Sequence, residues 1–276
     1  MISSVPKFLF ITVAYNNYVD TERFCQSLRL QERPIEFEIQ CVVVDNSSDP
    51  VISAQLASLA DAFDFVSFLR PGTNTGYFGG ANYALERSDC SQYVCVAICN
   101  NDLEFSRDFC RTFLSLSFSE DTFVVCPNVV TLDGFHQNPH VVRPLSRLAR
   151  VRLDLYFSNY YVAAFMLKIK RAISSVLPRW FWRNKRTSSG FIHMGIGACY
   201  LLLPQFFARF SKLYYPFFLY GEEAFLSAQV HDNGGKLFYC PTLDIRHNES
   251  ATLSKVPARI SYEYGRSGYR TYRKLY

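Results

Sequence analysis

Glu222 and Glu223 are adjacent carboxylates that follow Tyr220-Gly221 and precede an apolar segment. Acidic residues in the first turn of a helix are favoured by the helix dipole, which accounts for the pair on structural grounds alone. A carboxylate beside an apolar wall can also have its pKa raised into the range that suits general-base catalysis. Because two neighbours in a chain cannot both point into one site, we predict that one is catalytic and the other structural.

Asp102 and His247 are the side chains that best suit a divalent cation. Asp102 ends the run Asn100-Asn101-Asp102, and His247 lies in a polar segment late in the chain. Carboxylate and imidazole together suit Mg²⁺ or Mn²⁺ held also by substrate phosphates. The alternatives are an N-cap for a helix that begins near residue 106 and an ordinary surface or capped histidine. The other four histidines show no ligand spacing.

Polar clusters end three of the predicted strands. Tyr15-Asn16-Asn17, Asp45-Asn46-Ser47 and Asn100-Asn101-Asp102 each follow an apolar run. In a parallel α/β sheet, ligands bind beyond the carboxyl ends of the strands. Loop and capping residues of the same types are the alternative explanation, but three aligned clusters favour a shared ligand site.

A glycine-rich segment precedes a predicted helix, with the sequence Asn74-Thr75-Gly76-Tyr77-Phe78-Gly79-Gly80-Ala81-Asn82. Glycine lets a backbone approach a ligand closely, and the N-terminus of a helix favours anions. The spacing is not that of the dinucleotide fingerprint, and no Gly-Lys-Ser/Thr follows as in a P-loop. A tight strand-to-helix turn would need the same glycines, so the segment by itself leaves both explanations open.

The elements that would position these residues alternate between strand and helix. Continuous apolar runs predict buried strands, and the stretches between them predict helices. The predicted strands of the first hundred residues are 8–14, 41–44, 64–69 and 93–99, and the predicted helices are 19–31, 51–62 and 81–86. This order predicts an α/β fold with a mostly parallel central sheet flanked by helices. Further elements predicted later in the chain are a strand at 193–203, a helix at 222–232, and short strands at 236–240 and 243–246.

The charge of the chain is unevenly distributed. The net charge is +5 over 276 residues, yet residues 143–186 hold eleven Lys/Arg and one acid, and residues 255–276 hold six and one. Aromatic residues are interleaved with the basic ones over 155–186. That combination suits an anionic membrane surface, a nucleic acid, or a solvated surface with a few packed rings.

Composition and cysteine usage limit the class of protein. With 49% hydrophobic and 19% charged residues, the chain can bury the core of one large or two small domains, which excludes disordered, collagen-like and disulfide-dependent classes. Nine cysteines without a C-x-x-C pair predict a reducing compartment. The apolar run at 8–14 is too short for a signal peptide, and that at 155–167 is too short to cross a bilayer. We therefore expect a cytoplasmic protein.

Six motifs, taken in order, resemble those of the family 2 glycosyltransferases with the GT-A fold, which contains a Rossmann-like nucleotide-sugar-binding half and an acceptor half. The match is closest to bacterial rhamnosyltransferase-like and galactofuranosyltransferase-like members that build surface polysaccharides. The motifs are Val43-Val44-Asp45-Asn46-Ser47-Ser48, the segment from Asn74 to Asn82, Cys99-Asn100-Asn101-Asp102, Gly197-Ala198-Cys199-Tyr200-Leu201, Phe218-Leu219-Tyr220-Gly221-Glu222-Glu223, and His247. The resemblance covers residues 8–133 and 195–250.

The resemblance implies a metal-dependent, inverting transfer from a dTDP- or UDP-linked sugar, with a rhamnose-like sugar favoured, to a hydroxyl of a glycan or lipid-linked acceptor. It assigns Mg²⁺ or Mn²⁺ to Asp102 and His247, and base catalysis to Glu223 with Glu222 as the alternative. It assigns the donor to Thr12, Tyr15, Asp45, Asn74, Gly76, Gly80, Asn100, Asn101 and Asp102.

The resemblance also suggests how the chain is organised. Residues 1–135 would form the nucleotide-sugar-binding half, 136–192 a basic aromatic insert, 193–254 the catalytic and acceptor half, and 255–276 a basic tail. Lipid-linked acceptors favour an anionic membrane as the partner of 155–186 and 255–276, with the protein peripheral on the inner face. We expect no nucleic-acid partner.

The sequence departs from the family pattern at Glu223, where Asp is usual, and at Phe225, where a further acid is common. Two other classes of protein stay open. A sugar-nucleotide nucleotidyltransferase should carry a glycine-rich phosphate loop after its first strand, where this chain has Tyr15-Asn16-Asn17. A non-catalytic nucleotide-sugar-binding scaffold is disfavoured by the retention of Asp102, Glu223 and His247.

Overall fold

The computed structural model describes residues 5–33, 36–176, 188–249 and 258–273. Its strands are β1 Lys7–Ala14, β2 Glu38–Asp45, β3 Val66–Leu69, β4 Cys95–Asn100, β5 Leu103–Phe105, β6 Thr122–Thr131, β7 Gly190–Ile192, β8 Cys199–Leu202 and β9 Lys236–His247. Its α-helices are α1 Tyr18–Arg29, α2 Pro50–Ala62, α3 Tyr77–Leu85, α4 Phe109–Leu114, α5 Arg147–Tyr156, α6 Tyr160–Val176, α7 Pro204–Phe207, α8 Glu222–His231 and α9 Ala258–Tyr272.

One sheet connects the two halves of the chain. Its strand order is β3-β2-β1-β4-β8-β6-β9-β5, and β7 also pairs with β9. The pairs among β3, β2, β1 and β4 are parallel, as is β6 with β9, whereas β5, β7 and β8 run antiparallel to their neighbours. The predicted fold class, a mostly parallel sheet flanked by helices, is therefore confirmed.

The strands form where side chains on both faces are apolar. Phe8, Phe10 and Val43 belong to a buried cluster on one face, whereas Leu9 and Ile11 belong to a cluster on the other. Helices cover each cluster, with Phe24 of α1 on the first face and Phe78 of α3 on the second. A strand covered on both faces shows a continuous apolar run, which is why the sequence pattern predicted these strands.

Several predicted boundaries were wrong. Helix α3 begins at Tyr77 rather than at residue 81, so Gly79 and Gly80 lie inside it. Strand β8 is confined to Cys199–Leu202, and the two short strands predicted from residue 236 form a single strand, β9. A register shift where β9 passes Pro127 and Asn128 accounts for the apparent break.

The basic insert and the basic tail pack against each other over part of their length. The ring of Phe157, just after α5, stacks on Tyr269 of α9 with centroids 4.5 Å apart, and also stacks on Tyr262. Asp154 of α5 accepts a hydrogen bond from the Tyr269 hydroxyl (2.7 Å) and pairs with Arg273 (3.1 Å). Residues 177–187, 250–257 and 274–276, which carry part of the predicted membrane contact, lie outside the described residues. The domain boundaries remain predictions.

All nine cysteines are free, and eight of them are buried. Among the described residues, no helix has the length and apolar character needed to span a membrane.

Candidate active site

Strands β1, β2 and β4 end side by side, so the three polar clusters meet at one edge of the sheet. The parallel register places Ala14 next to Asp45, and Val13 next to Asn100. The backbone N–H of Asn16 donates to Ser47 Oγ at 2.9 Å, which joins the first two loops. The structure thus brings these clusters together at the edge where parallel sheets bind ligands.

Asp45 is buried at the end of β2 and is held by neighbouring side chains. One carboxylate oxygen accepts from the Ser47 N–H at 2.8 Å, and the other accepts from the Ser53 hydroxyl of α2. The guanidinium of Arg70 lies 3.6 Å from the same oxygen. Sequence analysis missed Arg70 because it follows β3 as an isolated basic residue without a motif. These contacts orient Asp45 before any ligand binds.

The glycine-rich segment contacts both the edge of the sheet and the loop before α8. Asn46 donates through Nδ2 to the Gly76 carbonyl at 2.9 Å. Gly76 has a φ of +76°, and a Cβ there would collide with the carbonyl oxygen of Phe218. A Cβ on Gly80 would come within 2.9 Å of Val13 in β1. Two of the glycines are therefore needed for close backbone packing, in agreement with the tight-turn explanation, while the segment still borders the proposed donor edge.

We expect the Gly76→Ala variant to lose at least about 3 kcal/mol of folding free energy, because it adds a backbone collision to a positive φ. Gly234→Ala is the matched control, since Gly234 has a φ of +77° and no atom within 4 Å of its Cβ position. That control should lose only about 1–2 kcal/mol. Urea unfolding of both variants measures the difference, and equal losses would show that the Phe218 contact is unimportant.

Asp102 and His247 face each other across the junction of β5 and β9. The antiparallel register pairs Leu103 with His247, and His247 Nε2 lies 3.2 Å from Asp102 Oδ1. Both residues are buried. On the other side of the ring, Nδ1 lies 2.7 Å from Oε1 of Gln137. A carbonyl acceptor at Nδ1 favours the tautomer that leaves the lone pair on Nε2.

This pair suits a divalent cation. Two ligands at right angles, each about 2.1 Å from Mg²⁺, are separated by about 3.0 Å, which is close to the observed separation of 3.2 Å. The described residues contain no group of three or more His, Cys, Asp or Glu side chains that could hold a metal. A cation at Asp102 and His247 would therefore need further ligands from a substrate or from water, as Mg²⁺ commonly does.

The two glutamates begin α8, as predicted. Gly221 precedes them with a φ of +102°. The ring of Tyr272 from α9 occupies the space that a Cβ on Gly221 would need. Glu223 Oε1 accepts from the Gly197 N–H at 3.2 Å, and a Cβ on Gly197 would lie 2.8 Å from that oxygen. Because a side chain at position 197 would crowd this oxygen, a glycine there leaves room for the Glu223 carboxylate to reach the backbone N–H.

Glu222 has a different environment from Glu223. It is buried, whereas Glu223 is partly exposed. Burial, with a smaller contribution from the charge of Glu223, raises the pKa of Glu222 to about 8. At pH 7 such a group is mostly protonated. Glu223 is the partly exposed carboxylate of the pair and contacts the Gly197 N–H, and its assignment as the base remains a prediction.

Tyr77 links the glycine-rich segment with the start of α8. Its hydroxyl is buried and has no hydrogen-bond partner among the described residues. Burial is the main cause that raises the pKa of Tyr77, and the charges of Glu222 and Glu223 contribute to it. The start of α3 and the start of α8 therefore share one neighbourhood. Sequence analysis missed Tyr77 because it looked like one aromatic residue among many.

The remaining predicted donor residues lie at the same edge but differ in their contacts. Asn101 donates to the Thr21 hydroxyl at 2.9 Å and so braces the start of α1. Asn74 accepts from the Gly76 N–H at 3.0 Å. Thr12 is fully buried within β1, whereas Tyr15 is exposed in the loop after it. Asn100 ends β4 and donates its N–H to the Ala198 carbonyl at 2.9 Å. Donor contacts by these residues remain predictions.

Comparison of the sequence with known families gives one result that covers most of the chain. Residues 9–185 match the sequence profile described as Glycosyl transferase family 2. The match spans more than half of the 276 residues, and the chain therefore belongs to this family. No curated protein matches the sequence.

Three solved structures that contain a nucleotide or a nucleotide sugar have a fold similar to that of this chain. GalNAc-T7 with UDP, GalNAc and Mn²⁺ has a TM-score of 0.60 at 13% identity, covering 89% of this chain and 44% of that one. The mannosyltransferase PcManGT from Pyrobaculum calidifontis, with GDP-Man and Mn²⁺, has a TM-score of 0.55 at 14% identity, covering 98% of this chain and 61% of that one. S. aureus TarS 1-349 with UDP-GlcNAc has a TM-score of 0.56 at 12% identity, covering 91% of this chain and 62% of that one. The chain thus spans less than two thirds of each of these proteins, and the likeness shows a shared fold.

Proposed function

We propose that the protein is an inverting glycosyltransferase that moves a sugar from a nucleoside diphosphate to an acceptor hydroxyl. The observation that carries this proposal is the position of Glu223 beside the edge where the strands end. Gly197 donates to Glu223, and its neighbour Ala198 accepts from Asn100 at the end of β4. The proposed base is therefore held within a few residues of the proposed donor site.

Asp45 and Glu223 have different roles in the proposed reaction. Asp45, pre-oriented by Ser53 and Arg70, accepts hydrogen bonds from the base or ribose of the donor. Glu223 takes the proton from the acceptor hydroxyl as that oxygen attacks the anomeric carbon from the face opposite the diphosphate. Attack from the opposite face inverts the anomeric configuration.

Asp102 and His247 would hold Mg²⁺ or Mn²⁺. When bound, the cation neutralises the charge that develops on the leaving nucleoside diphosphate. Gln137 keeps His247 Nε2 directed at Asp102 through its contact with Nδ1. The similar structures that contain Mn²⁺ with UDP or GDP-Man support the choice of cation and of donor class.

The donor and acceptor are proposed at a finer level from the sequence motifs. We propose a dTDP- or UDP-linked donor, with a rhamnose-like sugar favoured, and a glycan or lipid-linked saccharide acceptor of surface polysaccharide synthesis. In this proposal the enzyme works in the cytoplasm, at the inner face of the membrane.

A panel of UDP-, dTDP- and GDP-linked sugars tests the proposal. With Mn²⁺ present, one donor should bind and raise the melting temperature of the protein. The same donor should release its nucleoside diphosphate when acceptor is present, and more slowly by hydrolysis when it is absent. EDTA should remove the turnover, and Mg²⁺ or Mn²⁺ should restore it. Binding without release would identify a scaffold, and full turnover in EDTA would exclude the metal role.

A further inference from the structure

Helices α5 and α6 expose an apolar surface to solvent. On α6, Tyr161, Phe165, Ile169 and Ile173 recur every four residues and form one stripe, with Tyr161 70% and Phe165 63% exposed. The opposite side of α6 packs inward through Ala163, which is buried. On α5, further exposed apolar residues are Leu148, Val151 and Leu155. Singly exposed apolar residues are ordinary, but two exposed stripes on adjoining helices mark an interaction surface.

The charges around this surface are almost all positive. Five exposed basic side chains lie on α5 and α6, namely Arg147, Arg150, Arg152, Lys168 and Lys170, and the acid on these helices is Asp154. That acid is already engaged, because it pairs with Arg273 and accepts from Tyr269. The surface therefore complements a negatively charged partner and would repel a basic one.

A cleft between α5 and α9 adds a place for an anionic group. It has a volume of about 480 Å³ and is lined by Arg150, Asp154, Tyr269, Arg270 and Arg273. Arg150 donates through Nε to the Leu145 carbonyl, which turns part of its guanidinium toward the protein. Arg270 forms no ion pair with any described residue. Three guanidinium groups around one carboxylate leave an excess of charge that suits a phosphate.

We propose that the exposed face of α5 and α6 inserts into an anionic phospholipid bilayer, with the Arg150–Arg270 cleft binding a lipid headgroup phosphate. The apolar stripes enter the boundary between headgroups and acyl chains, and the flanking arginines and lysines stay among the headgroups. The contact surface is then the exposed face of α5 and α6 together with the arginines at the end of α9 that line the cleft, Arg270 and Arg273. The buried rings of Tyr262, Tyr269 and Tyr272 hold α9 in place. The inference rests on the proposed function only in placing the protein at a membrane.

Vesicle sedimentation with the full chain tests this inference. Vesicles of phosphatidylcholine mixed with phosphatidylglycerol should bind the protein, and vesicles of phosphatidylcholine alone should bind it far more weakly. The double variants Phe165→Ser/Ile169→Ser and Arg150→Glu/Arg270→Glu should each lower the affinity by about tenfold or more. Leu132→Ser and Lys212→Glu are matched controls, since both residues are exposed elsewhere, and they should bind as the wild type does.

Several outcomes would overturn the inference. These are absence of binding to the anionic vesicles, binding that neither double variant weakens, and an apolar variant that converts a dimer into a monomer in light scattering, which would assign the face to a second copy. Stabilisation by inorganic phosphate without vesicle binding would assign the cleft to a free anion. Donor hydrolysis is measured in parallel, so failure of the membrane contact is distinguishable from failure of the proposed chemistry.

Discussion

Replacing Glu223 with Gln is expected to lower kcat by about 10²–10⁴-fold, the usual contribution of a general base. The amide is isosteric with the carboxylate, so it can still lie beside the Gly197 N–H, but it cannot accept the proton of the acceptor hydroxyl. Donor affinity should change little, because the residues proposed to hold the nucleotide lie on other loops. Steady-state kinetics with isothermal titration of the donor separates the two effects.

Glu222→Gln is the matched control for this experiment. It changes the neighbouring glutamate by the same atoms, at a buried position where the acid is mostly protonated at pH 7. Its kcat should stay within a few-fold of the wild type. If Glu222→Gln instead abolished turnover while Glu223→Gln did not, the assignment of the base would be reversed.

The same Glu222→Gln variant should change how stability depends on pH. The native pKa of Glu222 is about 8, against an ordinary value of 4.5. A raised carboxyl pKa means that the native state binds more protons than the unfolded state between these two values, so wild-type stability falls as pH rises through this window. Glutamine removes the cost of ionising the buried acid, which amounts to on the order of 5 kcal/mol.

Urea unfolding at pH 4.5 and at pH 8.5 measures this difference. The two proteins should have similar free energies of unfolding at the lower pH, and the variant should be the more stable one at the higher pH. Glu120→Gln changes an exposed glutamate and serves as the control. Parallel curves for wild type and Glu222→Gln at all pH values would show that Glu222 ionises normally.

The first half of the fold could be predicted because its strands are buried on both faces. Runs such as Cys41-Val42-Val43-Val44 show this directly, and the polar residues after them mark the edge at which parallel sheets generally bind ligands. Strand β6 was missed because Pro127 and Asn128 interrupt its apolar pattern. In the structure they lie at a register shift, where a missing N–H and a polar side chain are accommodated.

The site was predicted from motifs, and its contacts were not predictable. Local sequence cannot place Asp102 beside His247, because their contact depends on how β5 pairs with β9. The same holds for Gln137, which reaches His247 from a loop, and for Arg70 beside Asp45. Helices α5 and α6 were not predicted, because the basic and aromatic composition of 155–186 was given more weight than the four-residue spacing of Tyr161, Phe165, Ile169 and Ile173.

The packing of the Tyr272 ring against Gly221 has a consequence for biosynthesis. A chain is made from its N-terminus and its parts fold as they emerge, so the strands and α8 are synthesised before α9. Until α9 docks, nothing from that helix supports the turn in front of Glu222 and Glu223. The nascent protein can thus complete its sheet while the turn before α8 still lacks this contact, and the proposed base Glu223 would gain the support of α9 only once that helix has packed.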